Sequence, residues 1–311
     1  MTDQLINRRD LLRMLGATAT GVAAKGLSFP RGNAAGATSK KILMFTKSSG
    51  YEHSVIKRTD GRSGLAEQIV TDLGKQQGFD VTATKDGGIF SSADLKEYDA
   101  FFFYTTGDLT TPGTDKNPPM TPEGKQAFLD LVHDGKGFIG THSASDTFDT
   151  YGDRFDPKPQ ALDPYLRMLG AEFLAHDAQQ KARVTVADKD FPGMAPLGDG
   201  VEIEEEWYPF RDYQRDLHVL TILETEGMQG PHYQRPPFPN TWARMHGRGR
   251  VFYTALGHRE DVWNSAIYQS LLLGGISWAL RNVDADVTPN IGKVAPHAND
   301  IPEGAFEKPK R

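Results

Sequence analysis

The chain has 311 residues, 38% hydrophobic and 24% charged, with 35 basic against 41 acidic residues and no cysteine. That apolar fraction is too high for a disordered chain, no run of 18 apolar residues offers a bilayer span, and a net charge of −6 gives no general attraction to nucleic acid. The missing cysteine excludes disulfides, thiolate metal sites and a cysteine nucleophile.

Residues 1–37 read as an address. Arg8-Arg9 precedes Asp10-Leu11-Leu12 and a small-residue stretch from Met14 to Ala24. That order of charged and weakly hydrophobic regions resembles a twin-arginine export signal, and Ala35-Gly36-Ala37 offers a cleavage site. Its removal takes away five basic and two acidic residues and leaves a more acidic chain. The expected location is periplasmic or extracellular.

Residues 38–282 read as one α/β domain. A buried first strand is expected at 41–46, a helix near 64–77 with Leu65, Ile69 and Leu73 on one stripe, and a second strand at 79–84. Residues 100–104 are continuously apolar, as a central parallel strand requires. Thr121 and Pro122 open a helix to about residue 133, and 137–140 is the next strand. This alternation predicts a parallel sheet covered on both faces. Shorter strands are expected at 183–187, 201–205 and 218–224, a strong one at 250–256, and an apolar last helix at 267–280. Residues 283–311 carry Pro289, Pro296, Pro302 and Pro309 and read as a surface tail.

In parallel α/β sheets, ligands bind beyond the carboxyl ends of the strands. The first strand is followed by Lys47-Ser48-Ser49-Gly50-Tyr51-Glu52-His53, a loop rich in donors for an anion or a sugar. The phenylalanine strand leads to Thr105-Thr106-Gly107-Asp108, which adds Asp108 as a substrate-binding candidate. His142 stands at a strand-to-helix turn of the kind that projects one side chain over the sheet edge. Imidazole is a good general base or metal ligand there. His258 follows the strand at 250–256, and His176 follows the apolar Phe173-Leu174-Ala175. His133, His232, His246 and His297 have surface or turn contexts, and His218 starts a strand. Glu204-Glu205-Glu206 abuts Trp207 and Tyr208, an apolar wall that suits an acid, a metal ligand or a stacked pyranose. Glu204 and Glu206 share one face of a strand, and Glu206 is the favoured carboxylate. No dinucleotide fingerprint, phosphate loop or HExxH zinc motif is present.

Five segments together resemble the ThuA-like (trehalose utilisation) family: Phe45 to His53; Gly137-Phe138-Ile139-Gly140-Thr141-His142-Ser143-Ala144-Ser145-Asp146; Glu206-Trp207-Tyr208-Pro209-Phe210-Arg211; Arg250 to His258; and the last helix around Gly275-Ile276-Trp278. They span about residues 40 to 282. Thr141 and Ser145 depart from the expected isoleucine and threonine. The resemblance implies a three-layer α/β sandwich with a mostly parallel central sheet, of the glutamine amidotransferase-like (flavodoxin-like) kind. The elbow that often holds a cysteine in that superfamily holds His142 here. The family is associated with sugar use, and in particular with 3-keto glycosides. The resemblance implies a divalent metal such as zinc or manganese on His53, His142, His258 and His176. Catalytic roles would fall to His142, His53, Glu206 and His176, and substrate contacts to Lys47, Asp108, Trp207 and Tyr208.

The expected activity is metal-assisted cleavage of 3-keto glycosides by elimination or hydrolysis. A non-catalytic periplasmic carbohydrate-binding protein and a keto-sugar isomerase or epimerase are the alternatives. The expected partners are a small-molecule sugar and, upstream, a sugar 3-dehydrogenase.

Overall fold

The computed structural model describes residues 39–148, 153–158 and 161–308. The expected export segment, residues 1–37, lies outside the described residues. In the first half the chain alternates β1 (Lys40–Phe45), α1 (Leu65–Gln77), β2 (Phe79–Thr84), β3 (Ala100–Phe103), α2 (Pro122–His133) and β4 (Gly137–Thr141). Every residue of β3 and β4 is buried, as strands covered on both faces should be. The Thr121 hydroxyl accepts the Gly124 N–H at 2.9 Å and so caps α2, with Pro122 at its first position.

The second half continues with α3 (Pro164–Leu169), β5 (Glu172–Phe173), β6 (Gln180–Val186), β7 (Gly200–Glu205), β8 (Phe210–Arg211), β9 (His218–Leu223), β10 (Phe238–His246), β11 (Gly249–Thr254), α4 (Glu260–Trp263), α5 (Ala266–Ala279) and α6 (Ile291–Val294). Nine strands form one sheet in the order β2-β1-β3-β4-β11-β10-β9-β6-β7. The pairs from β2 to β11 are parallel, and those from β11 to β7 are antiparallel. β7 therefore runs in the same sense as β1, β4 and β11, and its carboxyl end points toward the same edge. β6 pairs with β9 only over Val184–Val186, while its first half pairs with β7 alone. That two-stranded extension is free to reach toward the parallel half. Helix α4 touches both α1 and α5, and α2 and α3 touch each other. These two groups make the outer layers of an α/β sandwich.

The longest strand, β10, was absent from the sequence reading, because Pro236, Pro237, Pro239 and Asn240 signal a turn. The structure accommodates Pro239 at a register shift between β10 and β9, where a missing N–H is tolerated. The tail beyond residue 283 does not simply wrap the surface. Asn290 exchanges side-chain hydrogen bonds with the backbone of Val219 (2.6 and 3.0 Å), and Ile291, Ala295 and Ala298 are buried. The aromatic centre lies on one side of the sheet, where Phe103 contacts the rings of Phe45, Phe90, Phe128, Phe138 and Tyr165.

Candidate active site and metal centre

Four strand ends converge on one edge. Past β1 the chain turns through His53, whose carbonyl accepts the Ile56 N–H to close a short 3₁₀ turn. Past β3 comes Tyr104, whose hydroxyl donates to the Gly257 carbonyl at 2.8 Å. Past β4 comes His142, with a φ of 46°. A left-handed backbone is uncommon for residues other than glycine, histidine being among those that enter it more often, and the surroundings fix it. Here the Tyr253 hydroxyl donates to the His142 carbonyl at 2.6 Å. The expected helix after His142 is a single 3₁₀ turn, His142–Ser145. Past β11 comes Gly257 at a φ of 119°, then His258. A Cβ on Gly257 would lie 2.5 Å from the Tyr268 hydroxyl, so the loop that aims His258 needs glycine there. Thr141, at a position where isoleucine was expected, donates its hydroxyl to the Leu256 carbonyl at 2.8 Å and ties β4 to that loop.

The antiparallel extension brings Glu206, one residue past β7. The three successive glutamates separate by environment. Glu204 is half-exposed and meets Arg259 at 3.4 Å. Glu205 is fully buried and accepts the N–H groups of Gly257 and Glu206, each at 2.9 Å. Burial pushes its carboxyl up, against the pull of His142 and those two donors. Glu206 enters the cluster: its Oε2 lies 3.0 Å from His258 Nδ1 and 3.4 Å from His142 Nε2, and its Oε1 lies 3.4 Å from His176 Nδ1. Burial opposes its charge, but hydrogen bonding to His142 and His258 prevails and holds it well below the usual carboxylate range. His258 is raised for the reciprocal reason, burial being outweighed by the bond to Glu206. His53 is pushed well down, first by burial and then by the neighbouring His142 and His258.

One ligand atom from each of His53, His142, Glu206 and His258 lies within 4.8 Å of every other. Two observations show that these residues suit a divalent ion. His142 Nδ1 lies 3.0 Å from the Ala255 carbonyl, which can only accept, so Nδ1 keeps its proton and Nε2, the nitrogen facing Glu206, is the one that would ligate an ion once it gives up the proton it shares with that carboxylate. Buried His53 Nδ1 has no hydrogen-bond partner, which is costly unless something satisfies it. Three imidazoles and one carboxylate form a donor set that zinc or manganese accepts.

The cluster floors a cavity of about 430 Å³ lined by Tyr51, His53, Asp146, Phe173, His176, Gln179, Glu206, Tyr208 and His258. His142 lies beneath it, under the Tyr208 ring at 4.1 Å. His176 stands at the rim, its side chain 41% exposed, outside the four-residue cluster. Its Nδ1 faces only acceptors, the Asp177 carbonyl at 3.2 Å and Glu206, so the proton resides there and Nε2 carries the lone pair.

Other expected residues lie elsewhere. Lys47 is fully buried, donates to the Asn117 carbonyl at 2.8 Å and sits 3.6 Å from Asp115, outside the cavity lining. Asp108 is exposed and caps its own turn through Thr110. Trp207 is buried, with Nε1 donating to the Gln180 carbonyl. Of the substrate-contact candidates, only Tyr208 lines the cavity. His232, expected in a surface or turn context, lies in the short 3₁₀ turn Pro231–Tyr233 but is 2% exposed. The sequence reading missed Tyr51 as a cavity residue. It is 70% exposed, with its ring edge-on to His53 at 5.0 Å. Its place between Gly50 and His53 was the available signal.

Comparison with known proteins agrees with this architecture. The chain is similar to a ThuA-like protein from Bacteroides uniformis ATCC 8492 at 19% identity, with a TM-score of 0.57, covering 84% of this chain and 99% of that one. It is also similar to a ThuA-like protein from Parabacteroides merdae ATCC 43184 at 16% identity and a TM-score of 0.53, covering 87% of this chain and 100% of that one. These likenesses show the fold. No curated protein sequence matches the chain. The family model described as ThuA, trehalose utilisation, matches residues 41–279, which take in every histidine and glutamate of the cluster, and the chain belongs to that family.

Proposed function

We propose that this protein cleaves 3-keto glycosides. The observation that carries this reading is the convergence of His53, His142, His258 and Glu206 on the floor of an aromatic-walled cavity, with His176 at its rim. A paired-carboxylate glycosidase needs two carboxyl groups flanking the glycosidic bond. Here Glu206 is engaged by three histidines, so acid–base work passes to imidazole.

His53, His142, His258 and Glu206 would hold a divalent ion. When bound, it supplies positive charge beside the ketone oxygen, where negative charge develops. Tyr51 and Tyr208 offer ring surfaces to the sugar, and Asp146 and Gln179 offer hydrogen bonds to its hydroxyl groups. The ketone at C3 acidifies the hydrogen at C2. His176 Nε2 takes that proton. The C2 electrons form the C1–C2 double bond as the C1–oxygen bond breaks, and the imidazolium of His176 returns its proton to the departing oxygen. Water adding across C1–C2 completes net hydrolysis. Export by the twin-arginine segment and supply of the ketone by an enzyme that oxidises a sugar C3 hydroxyl belong to the same proposal.

The test is incubation of the purified protein with 3-keto and unoxidised glucosides, with and without chelator. Cleavage of the keto compounds alone, abolished by chelator, is the expected result. Binding without turnover would instead make this a carbohydrate-binding protein, and a rearranged but uncleaved sugar would make it an isomerase or epimerase. C2 hydrogen that never exchanges with solvent deuterium would overturn proton abstraction.

A further inference from the structure

Beside the loop that bears Tyr51 and His53, three charged side chains are buried together: Lys47, Lys85 and Asp115 are 0%, 4% and 2% exposed. The two ammonium groups lie 3.6 and 3.9 Å from different oxygens of the one carboxylate. Each also donates to the main chain, Lys47 to the Asn117 carbonyl at 2.8 Å and Lys85 to the Thr46 carbonyl at 2.7 Å. Asp115 accepts the N–H groups of Ser48 at 2.9 Å and Asn117 at 3.0 Å. Burial opposes its charge, but those donors prevail and hold it below the usual carboxylate range. A buried ionic cluster is weak evidence for stability, because desolvation offsets much of the attraction, and its best-attested use is to fix one register.

The segment fixed here is 46–52. Lys85 holds the Thr46 carbonyl and, at 3.1 Å, the Glu52 carboxylate; Asp115 holds the Ser48 N–H; and the Thr114 hydroxyl donates to the Gly50 carbonyl at 2.5 Å. These partners come from the β3–α2 connection and from the residue after β2, and none of them lines the cavity. A Cβ on Gly113 would collide with Lys47 Nζ and Asp115 Oδ1, so the connection closes over the cluster only with glycine there. His53 follows directly after the last clamped residue. The Ala255 carbonyl orients the ring of His142, but His53 Nδ1 has no hydrogen-bond partner. The aim of His53 therefore comes from the path of its main chain and from ring packing.

We infer that Lys85 and Asp115 are positioning residues for His53: with Lys47 they set the path of residues 46–52 and so deliver the imidazole to the histidine cluster. Lys47, expected among the substrate contacts, belongs to this support. The effect on a bound ion rests on reading the histidine cluster as a metal site; the effect on the placement of His53 does not.

Two variants of the full chain test it. Lys85→Met removes the clamp on Thr46 and Glu52 but leaves Asp115 beside Lys47, and the partly exposed Glu52 can turn to solvent. Asp115→Asn keeps the shape and removes the charge; should it fail to fold, Lys85→Met decides alone. The measurement is a proton–carbon correlation spectrum of histidine-labelled protein before zinc is added, with His53 assigned from His53→Gln. The rings of Tyr51, Tyr104, His142 and His258 surround His53 at 4.9 to 5.4 Å, so its chemical shift reports its position. The expected result is a displaced or split His53 signal, with the signals of His218 and His297, held by Asp188 and Asp300, unmoved. A loss of stability alone leaves the native shift where it was. Zinc is then added against a chromophoric chelator, and its affinity should fall about tenfold or more, as when an outer partner of a metal ligand is lost. A His53 signal at the wild-type position in a folded variant overturns the positioning. A displaced signal with unchanged zinc affinity, or a wild type that binds no zinc, overturns the metal reading and leaves the positioning standing.

Discussion

Single atoms decide the chemistry of the cluster. The Ala255 carbonyl keeps a proton on His142 Nδ1, and the Asp177 carbonyl and Glu206 keep one on His176 Nδ1. Nε2 of the first faces the centre and Nε2 of the second faces the cavity, so two histidines of the same intrinsic chemistry take different work. We expect Glu206→Gln and His258→Ala each to weaken zinc binding by at least about tenfold, since even outer partners of metal ligands carry about 10–100-fold. Competition with a chromophoric chelator measures this, and wild-type affinity in both variants would place the metal elsewhere. Gly257 is the second decisive position at this scale. Gly257→Ala must carry a φ of 119° and push against Tyr268. The expected loss is about 1 kcal/mol or more, seen as a lower urea midpoint at unchanged slope.

At the scale of elements, the parallel half was legible and much of the antiparallel half was not. Continuous apolar runs at β3 and β4, the Thr121-Pro122 start of α2 and the stripe of α1 are local signals. The position of Glu206 is not local, because it depends on β6 leaving β9 so that the end of β7 meets the end of β11. The alternation rule would set Glu204 and Glu206 alike, but β7 ends at Glu205 and the backbone departs from strand geometry there. The β10–β11 hairpin carries a pH-dependent feature. Burial, then Arg244 and His133, hold His246 down at about 4, below the ordinary 6.5. The folded chain therefore keeps this ring neutral where the unfolded chain protonates it. Its contribution to stability is full above pH 6.5 and is lost as pH falls toward 4. His246→Gln should flatten the fall in urea midpoint across that window, and an unchanged slope would assign the acid loss to other groups.

For the whole molecule, the aromatic core and the candidate metal centre sit on the same parallel strands. β1, β3 and β4 bury the rings around Phe103 along their lengths and place Tyr104, His53 and His142 at or beyond their ends. Phe103→Ala removes a ring packed against five others and should cost about 3–5 kcal/mol. Because several site residues hang from those strands, its zinc affinity should fall with its stability. Zinc at a hundred times its dissociation constant should conversely stabilise the wild type by about 2.7 kcal/mol, read as a Tm several degrees higher and reversed by chelator. A Tm that ignores zinc would mean that the folded chain has no preference for the ion.

By itself, the sequence determined the alternation of strand and helix, the absence of any thiol chemistry and the placing of His53, His142 and His258 after strands. Those follow from hydrophobic periodicity, composition and the rule that parallel strands present their carboxyl ends to ligands. Only the tertiary structure decided that Glu205 supports while Glu206 enters the cluster. It also put Lys47, Asp108 and Trp207 outside the cavity, and anchored the tail on the domain. Those outcomes depend on contacts between residues tens of positions apart, which no local pattern encodes: Glu205 to Gly257, Lys47 to Asn117, and His232 to Glu307.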